Sequence, residues 1–278
     1  MIDRLIQYLK SSFRRKMARR VTREYKTRTD RFELPGIGNV SFANWENPLV
    51  KPRSISKGNV DFFRRFLNEG DMAVDIGANT GIITTYMALA CGKQGKVLAF
   101  DPNPYVFRVL SENATLNTQL ATIDAYNVAI TDQAGEYYYN SSEASFNNGG
   151  ISSQPENRHG KYSLSQKIKG VRLEDFLEEK YSGQLSRIKL LKTDAEGYDK
   201  EILRSVSALL HRIKPVVIAE CFGKLTQAER FELYDILASL GYTLYYFSDF
   251  DAAAEVVRLQ SREDMLRWHH FDFYATMG

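Results

Sequence analysis

The chain has 278 residues, 44% hydrophobic and 26% charged, so it can bury a sizeable core as one large α/β domain or one domain with an appendage. No apolar run approaches the roughly 20 residues that cross a bilayer, and the arginine-rich N-terminus lacks the apolar segment of a secretory signal. The two cysteines, Cys91 and Cys221, lack metal-ligand spacing, which favours reduced thiols in a cytoplasmic protein.

Residues 1–31 form a basic arm that is predicted to be helical. Eleven Lys and Arg residues stand against three acidic ones, so the arm carries +8 and the remainder −5 within a net charge of +3. Apolar residues recur every four positions, as Leu5, Leu9, Phe13, Met17 and Val21. The pattern fits a helix that lies on an anionic membrane or polyanion. It also fits a helix that packs against the body, and this second interpretation is preferred because basic helices are common and the stripe is thin.

Residues 32–70 are predicted to lead into the main domain. Gly, Asn, Pro and aromatic residues from Phe32 to Pro52 indicate turns and short strands. The segment "VDFFRRFLNEG" (60–70) predicts an amphipathic helix that ends at Gly70.

From residue 71 to 278, strands and helices alternate, which predicts a doubly wound, mostly parallel sheet with helices on both faces. The predicted helices include 82–90, 104–117 and 226–240, the last starting at a capping box of Thr226 and Glu229. The predicted strands are 72–77, 96–101, 122–130, 136–140, 187–195, 214–220, 242–248 and 271–276, the last at an edge of the sheet.

The segment "VDIGANTG" (74–81) joins the first of these strands to the first of these helices and predicts a ligand-binding loop. In a doubly wound sheet this loop lies at the carboxyl ends of the strands, where the strand order reverses and ligands bind. Gly77 and Gly81 let the backbone turn sharply and approach a ligand, and the next helix offers free N–H groups. Asp75 disfavours a pyrophosphate and favours a cationic ligand, so the loop predicts S-adenosylmethionine rather than a dinucleotide.

Asp101 ends the next predicted strand, 20 residues after Gly81, where a carboxylate can accept both ribose hydroxyls of a nucleoside. A glycine loop alone is a weak signal, because many loops use glycine and asparagine. The full order of strand, Asp75, glycine loop, helix, strand and Asp101 is more specific. The alternative is an α/β core with tight turns and no nucleotide.

The motifs "VDIGANTG", "LAFDPNP", "IKLLKTDAEGYDKEIL" and "KPVVIAE" resemble, in order and spacing, those of the FkbM family of S-adenosylmethionine-dependent methyltransferases. The resemblance covers about residues 71–247. It implies a class I methyltransferase fold with seven strands, the last antiparallel, and O-methylation of sugars or other hydroxylated compounds. Asp101 and Asp199 stand where the family usually has Glu, and both keep the carboxylate.

The predicted cofactor-binding residues follow from this loop and resemblance. By analogy with the family, Asn127 is expected near the adenine. The full predicted set is Asp75, Gly77, Ala78, Asn79, Gly81, Asp101 and Asn127.

Asp194 and Glu196, in "KTDAEG", are the predicted catalytic residues. They lie two apart at the carboxyl end of a strand, so both should face the crevice, where a base can align and deprotonate an acceptor hydroxyl. Asp194 is the first candidate, and Lys192 would lie deeper on the same face. A structural alternative has Glu196 cap a helix near Tyr198 while Asp194 holds loop backbone. The pair could hold Mg²⁺ and Glu220 could join it, but nothing in the sequence requires a metal.

The segment 141–167 is polar, rich in glycine, serine and asparagine, and long for a connection, which predicts a lid or acceptor-binding surface. The family resemblance also implies a variable acceptor region here. Its candidate contacts with a sugar are Phe146, Asn147, Asn148, Ser152, Ser153 and Tyr162. His159 is placed to act as a base but is preferred as a solvated loop residue. His211 is assigned to a helix end, and His269 and His270 are expected to have no function.

The resulting prediction is an O-methyltransferase that acts on a saccharide, a glycolipid precursor or a related small molecule. Peripheral membrane contact through residues 1–31 is a further hypothesis. A nucleic-acid methyltransferase is one rival, disfavoured because the acidic "TDAEG" would repel phosphate and lacks a Pro-Pro-aromatic base grip. The other rival is a non-catalytic membrane- or polyanion-binding protein with a vestigial cofactor pocket.

Overall fold

The structure is a computed structural model that describes residues 2–154 and 160–277. The N-terminal part contains two helices and one hairpin, and His159 lies outside the described residues. These elements are α1 (Ile2–Ala18), β1 (Thr27–Leu34), β2 (Gly38–Trp45) and α2 (Lys57–Phe63).

The remaining elements alternate between strands and helices, with 3₁₀ helices at Ser182–Arg187 and Arg262–Leu266. The strands are β3 (Met72–Ile76), β4 (Lys96–Phe100), β5 (Ile123–Tyr126), β6 (Ala129–Ile130), β7 (Gly135–Ser141), β8 (Gly150–Ser152), β9 (Tyr162–Ser163), β10 (Ile168–Val171), β11 (Ile188–Thr193), β12 (Val216–Cys221), β13 (Tyr242–Phe247), β14 (Val256–Arg258) and β15 (Phe271–Met277). The helices are α3 (Ile82–Cys91), α4 (Pro104–Leu116), α5 (Leu173–Tyr181), α6 (Asp199–Ser205), α7 (Ser207–Ile213) and α8 (Gln227–Ser239).

The main sheet has the order β14-β13-β15-β12-β11-β3-β4-β5. Strands β12, β11, β3, β4 and β5 are parallel neighbours, whereas β15 pairs antiparallel with both of its neighbours, β12 and β13. The strand order reverses between β3 and β11, which places a crevice above the carboxyl ends of these two strands. This topology confirms the predicted class I methyltransferase fold and adds β14 as an eighth strand.

Both faces of the sheet are covered, which explains the continuous apolar runs of its central strands. Helices α5, α6, α7 and α8 pack on one face, and α2, α3 and the β1–β2 hairpin pack on the other. Cys91 and Cys221 are free and buried in these two layers. The layers hold the strand ends rigidly, so they fix the geometry of the crevice.

Two strand predictions were wrong in detail. The predicted strand 122–130 is two strands, because β5 ends at Tyr126 and β6 joins a second sheet of order β6-β10-β7-β8. The final strand β15 is not at an edge, since it inserts between β12 and β13 and is largely buried. The short β14 occupies the edge instead.

The helix starts depend on local capping. Thr226 and Glu229 form the predicted capping box of α8, which ends at Ser239. The helix predicted at 60–70 instead begins at Lys57, because Ser56 and Asn59 form a capping box, and it ends at Phe63. Gly70, at φ 89°, belongs to the turn before β3 rather than to a helix end.

A small second sheet stands over the crevice. It is built from β6, β7, β8, β9 and β10, so the predicted extra strand at 136–140 is confirmed as part of β7. Part of the predicted loop 141–167 is therefore ordered as β8 and β9. Among the described residues, no helix is long and apolar enough to cross a membrane.

Candidate active site

A cavity of about 710 Å³, counted with its open mouth, lies at the carboxyl ends of the parallel strands. Its size is in the range that holds a small ligand or cofactor. Residues after β3, β4, β5 and β11 form its walls, and β7 and β8 close it from above. The lining residues are Ile76, Gly77, Asn79, Phe100, Asp101, Pro102, Asn103, Val106, Val128, Ala129, Ile130, Tyr139, Asn148, Gly149, Gly150, Ile151, Asp194, Ala195 and Glu196.

The loop between β3 and α3 turns through left-handed backbone conformations at Gly77 and Asn79, with φ of 72° and 50°. A Cβ atom on Gly77 would lie 1.9 Å from the carbonyl oxygen of Asp194. The loop and the end of β11 are therefore in direct contact, and the Asp194 N–H donates to the Ile76 carbonyl at 3.0 Å. This close approach is the physical reason for glycine at position 77.

Asp101 holds the same loop from the other side. Its two carboxylate oxygens accept hydrogen bonds from the backbone N–H groups of Asn79 (2.8 Å) and Asn103 (2.9 Å). Burial raises the pKa of Asp101 to about 7, although these two hydrogen bonds act in the opposite direction. Asp101 also lines the cavity, so it is available to a ligand there.

Asp75 is fully buried beneath the cavity and does not line it. Its oxygens meet the Lys192 ammonium at 3.2 Å and the Thr84 hydroxyl at 2.6 Å. The same ammonium lies 3.5 Å from Asp194. Burial alone lowers the pKa of Lys192, but the carboxylates of Asp75, Asp194 and Asp272 outweigh it and raise that pKa, so the lysine is a cation.

Replacing Lys192 with methionine is expected to destabilise the fold. Lys192→Met leaves the Asp75 carboxylate buried without its counterion, which costs about 3–5 kcal/mol in comparable cases. Lys189→Met is the matched control, because Lys189 lies on the same strand and is exposed. Denaturant unfolding of both variants measures the difference. Equal stability of the two would show that the ion pair is not needed.

Asp194 and Glu196 both line the cavity, as their spacing predicted. The Asp194 side chain is 37% exposed, so it can meet both the buried ammonium and a ligand at the mouth. Glu196 has a φ of 54°, and burial, followed by the charges of Asp194 and Asp199, raises its pKa to about 7. One wall of the cavity therefore carries two carboxyl groups, of which Asp194 is partly exposed beside an ammonium and Glu196 is largely buried.

Asp199 has the structural role that was an alternative for the two predicted catalytic residues. It accepts hydrogen bonds from the Thr193 hydroxyl (2.8 Å) and from the backbone N–H groups of Ala195 (3.0 Å) and Gly197 (3.2 Å). Tyr198, the residue before α6, makes no side-chain cap. The carboxylate of Asp199 thus holds the loop that presents Glu196, which leaves Asp194 and Glu196 free to face the cavity.

The remaining predicted cofactor residues lie around the cavity rather than in it. Ala78 is buried behind the loop, and Gly81, at φ 87°, is the residue before α3. Asn127 lies in a neighbouring depression, and its side-chain amide donates to the Asp101 carbonyl at 2.9 Å. Its neighbours Val128 and Ala129 line the cavity instead. These three predicted contacts stay predictions.

Two of the candidate sugar contacts in segment 141–167 differ in where the structure places them. Asn148 lines the cavity, whereas Phe146 is buried and stacks on Tyr105 with ring centroids 5.3 Å apart. The Asn103 amide donates to the Tyr139 hydroxyl at 3.1 Å and to the Phe146 carbonyl at 2.6 Å. These contacts attach the lid to the loop after β4, so Phe146 is a structural residue of the lid.

A second group of carboxylates adjoins the site on the same face of the sheet. Glu220 and Asp272 lie opposite one another in β12 and β15, and Glu220 meets His270 Nε2 at 2.7 Å. Burial and then Asp194 raise the pKa of both carboxyl groups, that of Asp272 to about 7. Sequence reasoning considered Glu220, expected no function for His270 and did not consider Asp272, because the position of β15 beside β12 has no local signal.

The site can hold a cationic ligand near its carboxylates and accept a proton from a neutral one. No group of three or more His, Cys, Asp or Glu side chains among residues 2–154 and 160–277 is arranged to hold a metal ion. The apolar wall of Phe100, Val128 and Ile130 can take a flat ring. The combination fits S-adenosylmethionine, which carries an adenine, a ribose and a sulfonium cation.

Comparisons with known proteins place the chain. The sequence model of the methyltransferase FkbM domain matches residues 75–244. Methyltransferase sdnD of Sordaria araneosa is 32% identical over an alignment of 154 residues, and the match covers 48% of this chain and 59% of that protein. Hexuronic acid methyltransferase AglP of Haloferax volcanii is 25% identical over an alignment of 169 residues, and the match covers 58% of this chain and 62% of that protein. The chain thus spans about three fifths of the length of both relatives.

The solved structures to which the chain is similar include a methyltransferase FkbM from Methylobacillus flagellatus. It is 14% identical, with a TM-score of 0.48 over 76% of this chain and 44% of that chain. A SAM-dependent O-methyltransferase from Thermotoga maritima is 12% identical, with a TM-score of 0.41 over 82% of this chain and 67% of that chain.

Proposed function

The chain belongs to the FkbM family of methyltransferases, and from that premise we propose that it transfers a methyl group from S-adenosylmethionine to a hydroxyl group. The acceptor is a saccharide, a glycolipid precursor or a related small molecule. The observation that carries the proposal is one cavity that brings the glycine loop, Asp101, Asp194 and Glu196 together. The loop and Asp101 suit the cofactor, and the other two carboxyl groups suit the acceptor.

The residues present can hold the cofactor without rearrangement of the fold. Gly77 and Asn79 offer a loop without obstructing side chains, and Asp101 offers a carboxylate to ribose hydroxyls. Val128 and Ile130 offer an apolar surface to the adenine. When bound, S-adenosylmethionine supplies an electrophilic methyl group on a sulfonium.

The protein positions the acceptor and removes its proton. Asp194 accepts a hydrogen bond from the acceptor hydroxyl, aligns its oxygen with the methyl group and takes up the proton as the new bond forms. Lys192 and Asp75 anchor Asp194 from below, because the ammonium lies between the two carboxylates. Glu196, on the same wall, adds negative charge when ionised, which favours the loss of the hydroxyl proton.

Turnover is expected to rise with pH through about 7 and to level off above it. The raised pKa of Glu196 keeps this carboxyl protonated below pH 7, so the wall becomes fully anionic only above that value. Glu196→Gln should reduce the rise to the part due to Asp101, whose pKa is also about 7, and should lower turnover at pH 8.5 about tenfold. Steady-state rates between pH 5.5 and 8.5 test this. If the variant keeps the same rise, another group is responsible for it.

The acceptor class rests on two supports. The related AglP is named for a hexuronic acid, which is a sugar derivative. The cavity has a polar lid that includes Asn148, and its acidic wall suits a neutral hydroxyl better than a phosphate. The proposal also places the protein in the cytoplasm, with peripheral membrane contact through residues 1–31.

Methyl-labelled S-adenosylmethionine offered with neutral saccharides, a glycolipid extract and RNA tests the proposal. Label in a sugar ether is expected. Label in RNA would instead favour a nucleic-acid methyltransferase. Binding of the cofactor without transfer to any of the three would favour a non-catalytic protein.

A further inference from the structure

Three apolar side chains on one side of α1 are exposed rather than packed against the body, whereas Met17 near the end of the helix is half-buried. Ile6, Leu9 and Phe13 are 43%, 57% and 64% exposed, although they share one side of the helix at spacings of three and four. Among the described side chains of α1, that of Ala18 is the only fully buried one, and it lies beside Tyr25. The preferred sequence interpretation, that α1 packs on the body, was therefore wrong for these side chains.

The rest of α1 is strongly basic. The helix contains five basic residues and one acidic residue, Asp3. At 100° per residue, Arg4, Arg14 and Arg15 point away from the apolar stripe, while Lys10 and Lys16 flank it. A helix with a basic polar face and an exposed apolar stripe binds in the plane of an anionic membrane surface, where the stripe enters the headgroup boundary. Pairing with a second copy would bring two basic helices together, which charge repulsion disfavours.

Arg19, the residue after α1, contacts the segment between β7 and β8, which forms the lid over the cavity. The Arg19 carbonyl accepts a hydrogen bond from the Ala144 N–H at 3.3 Å, and the Arg19 guanidinium lies 3.9 Å from Glu143. The segment that follows Glu143 and Ala144 reaches the cavity wall at Asn148. A surface that binds α1 therefore lies beside the lid of the candidate active site.

We propose that α1 is an interfacial helix that docks on an anionic phospholipid surface through Ile6, Leu9 and Phe13. The second part of the inference, which rests on the proposed function, is that the methyl acceptor is carried in that membrane. Docking of α1 next to the lid then holds the cavity close to headgroup-linked saccharides. The acceptor class narrows to hydroxyl groups of membrane-borne glycolipids.

Vesicle sedimentation of the full chain tests the docking. The unmodified protein should sediment with vesicles that contain phosphatidylglycerol, much less with pure phosphatidylcholine, and less again at high salt. Leu9→Glu and Phe13→Glu should each reduce the bound fraction about tenfold or more. Tyr8→Glu is the matched control, since Tyr8 is 64% exposed like Phe13 and the charge change is the same. Tyr8 lies about 140° round the helix from Phe13, so the bound fraction of this variant should fall only a few-fold.

Three outcomes would overturn the docking: no sedimentation, equal loss in all three variants, or a dimer in solution that Phe13→Glu dissociates. The acceptor is tested separately by two rates. The first is the rate of methyl transfer to a glycolipid in vesicles, and the second is the rate of transfer to the soluble saccharide of its headgroup. Phe13→Glu should lower the first rate and leave the second unchanged. A loss of both rates, or of neither, would overturn the membrane-borne acceptor, whereas absence of transfer by the unmodified chain to either would count against the proposed function.

Discussion

Asp194→Asn is expected to reduce turnover by about 10²–10⁴-fold, the range typical for loss of a positioned base. The amide keeps the size of the side chain but cannot take up the proton of the acceptor hydroxyl. S-Adenosylmethionine should bind with similar affinity, because Asp101 and the glycine loop remain. The fold should also persist, since Lys192 keeps its contact with Asp75 at 3.2 Å.

Single-turnover rates and cofactor titrations on the same preparation separate a loss of proton transfer from a loss of cofactor binding. Asp61→Asn is the matched control, because Asp61 pairs with Lys57 and Arg64 on the surface of α2 and does not line the cavity. It should turn over like the unmodified chain. Unchanged turnover in Asp194→Asn would remove this residue from the mechanism and leave Glu196 as the first candidate.

Gly77→Ala is expected to abolish cofactor binding and to lower the free energy of unfolding by about 2–4 kcal/mol. The new methyl group would meet the Asp194 carbonyl oxygen at 1.9 Å, and neither partner can move without shifting a strand end. The positive φ of 72° adds a further cost for any residue with a Cβ. The loop and the predicted base would be displaced together, so activity should also be lost.

Gly70→Ala measures the cost of a positive φ without a steric clash. The difference between the two variants therefore gives the steric part of the loss in Gly77→Ala. Gly70 has a similar φ of 89°, but nothing lies within 4 Å of an added Cβ. That variant should lose only about 1 kcal/mol of stability and bind the cofactor normally. Thermal unfolding and calorimetric titration measure both quantities. Normal binding by Gly77→Ala would show that the loop does not contact the cofactor.

The sequence was sufficient for the features that depend on local patterns and strand order. Gly77, Asp101, Asp194 and Glu196 each lie at or just after the carboxyl end of a predicted parallel strand, and such ends converge at one edge of a doubly wound sheet. Their meeting in one cavity was therefore predictable. The start of α8 was equally predictable, because its capping box lies within four residues.

The features that the sequence did not show depend on pairing between distant segments. Asp75 looked like a ligand contact, but the register of β3 and β11 places it opposite Lys192, 117 positions later, as a buried counterion. Asp272 joins the acidic region only because β15 inserts beside β12. Neither arrangement has a local sequence signal.

The exposure of α1 was beyond sequence reasoning for a different reason. An apolar stripe at helical spacing indicates that one side of a helix contacts something apolar, but it does not say whether that partner is the body or a membrane. The exposed fractions of Leu9 and Phe13 show that these two side chains do not pack on the body.

Calorimetric titration of the full chain with S-adenosylmethionine tests the central claim most directly. The account predicts saturable binding of one molecule per chain, in competition with S-adenosylhomocysteine. Absence of binding at millimolar ligand would contradict it, because the cavity beside Gly77, Asp101 and Asp194 would then not be a cofactor site.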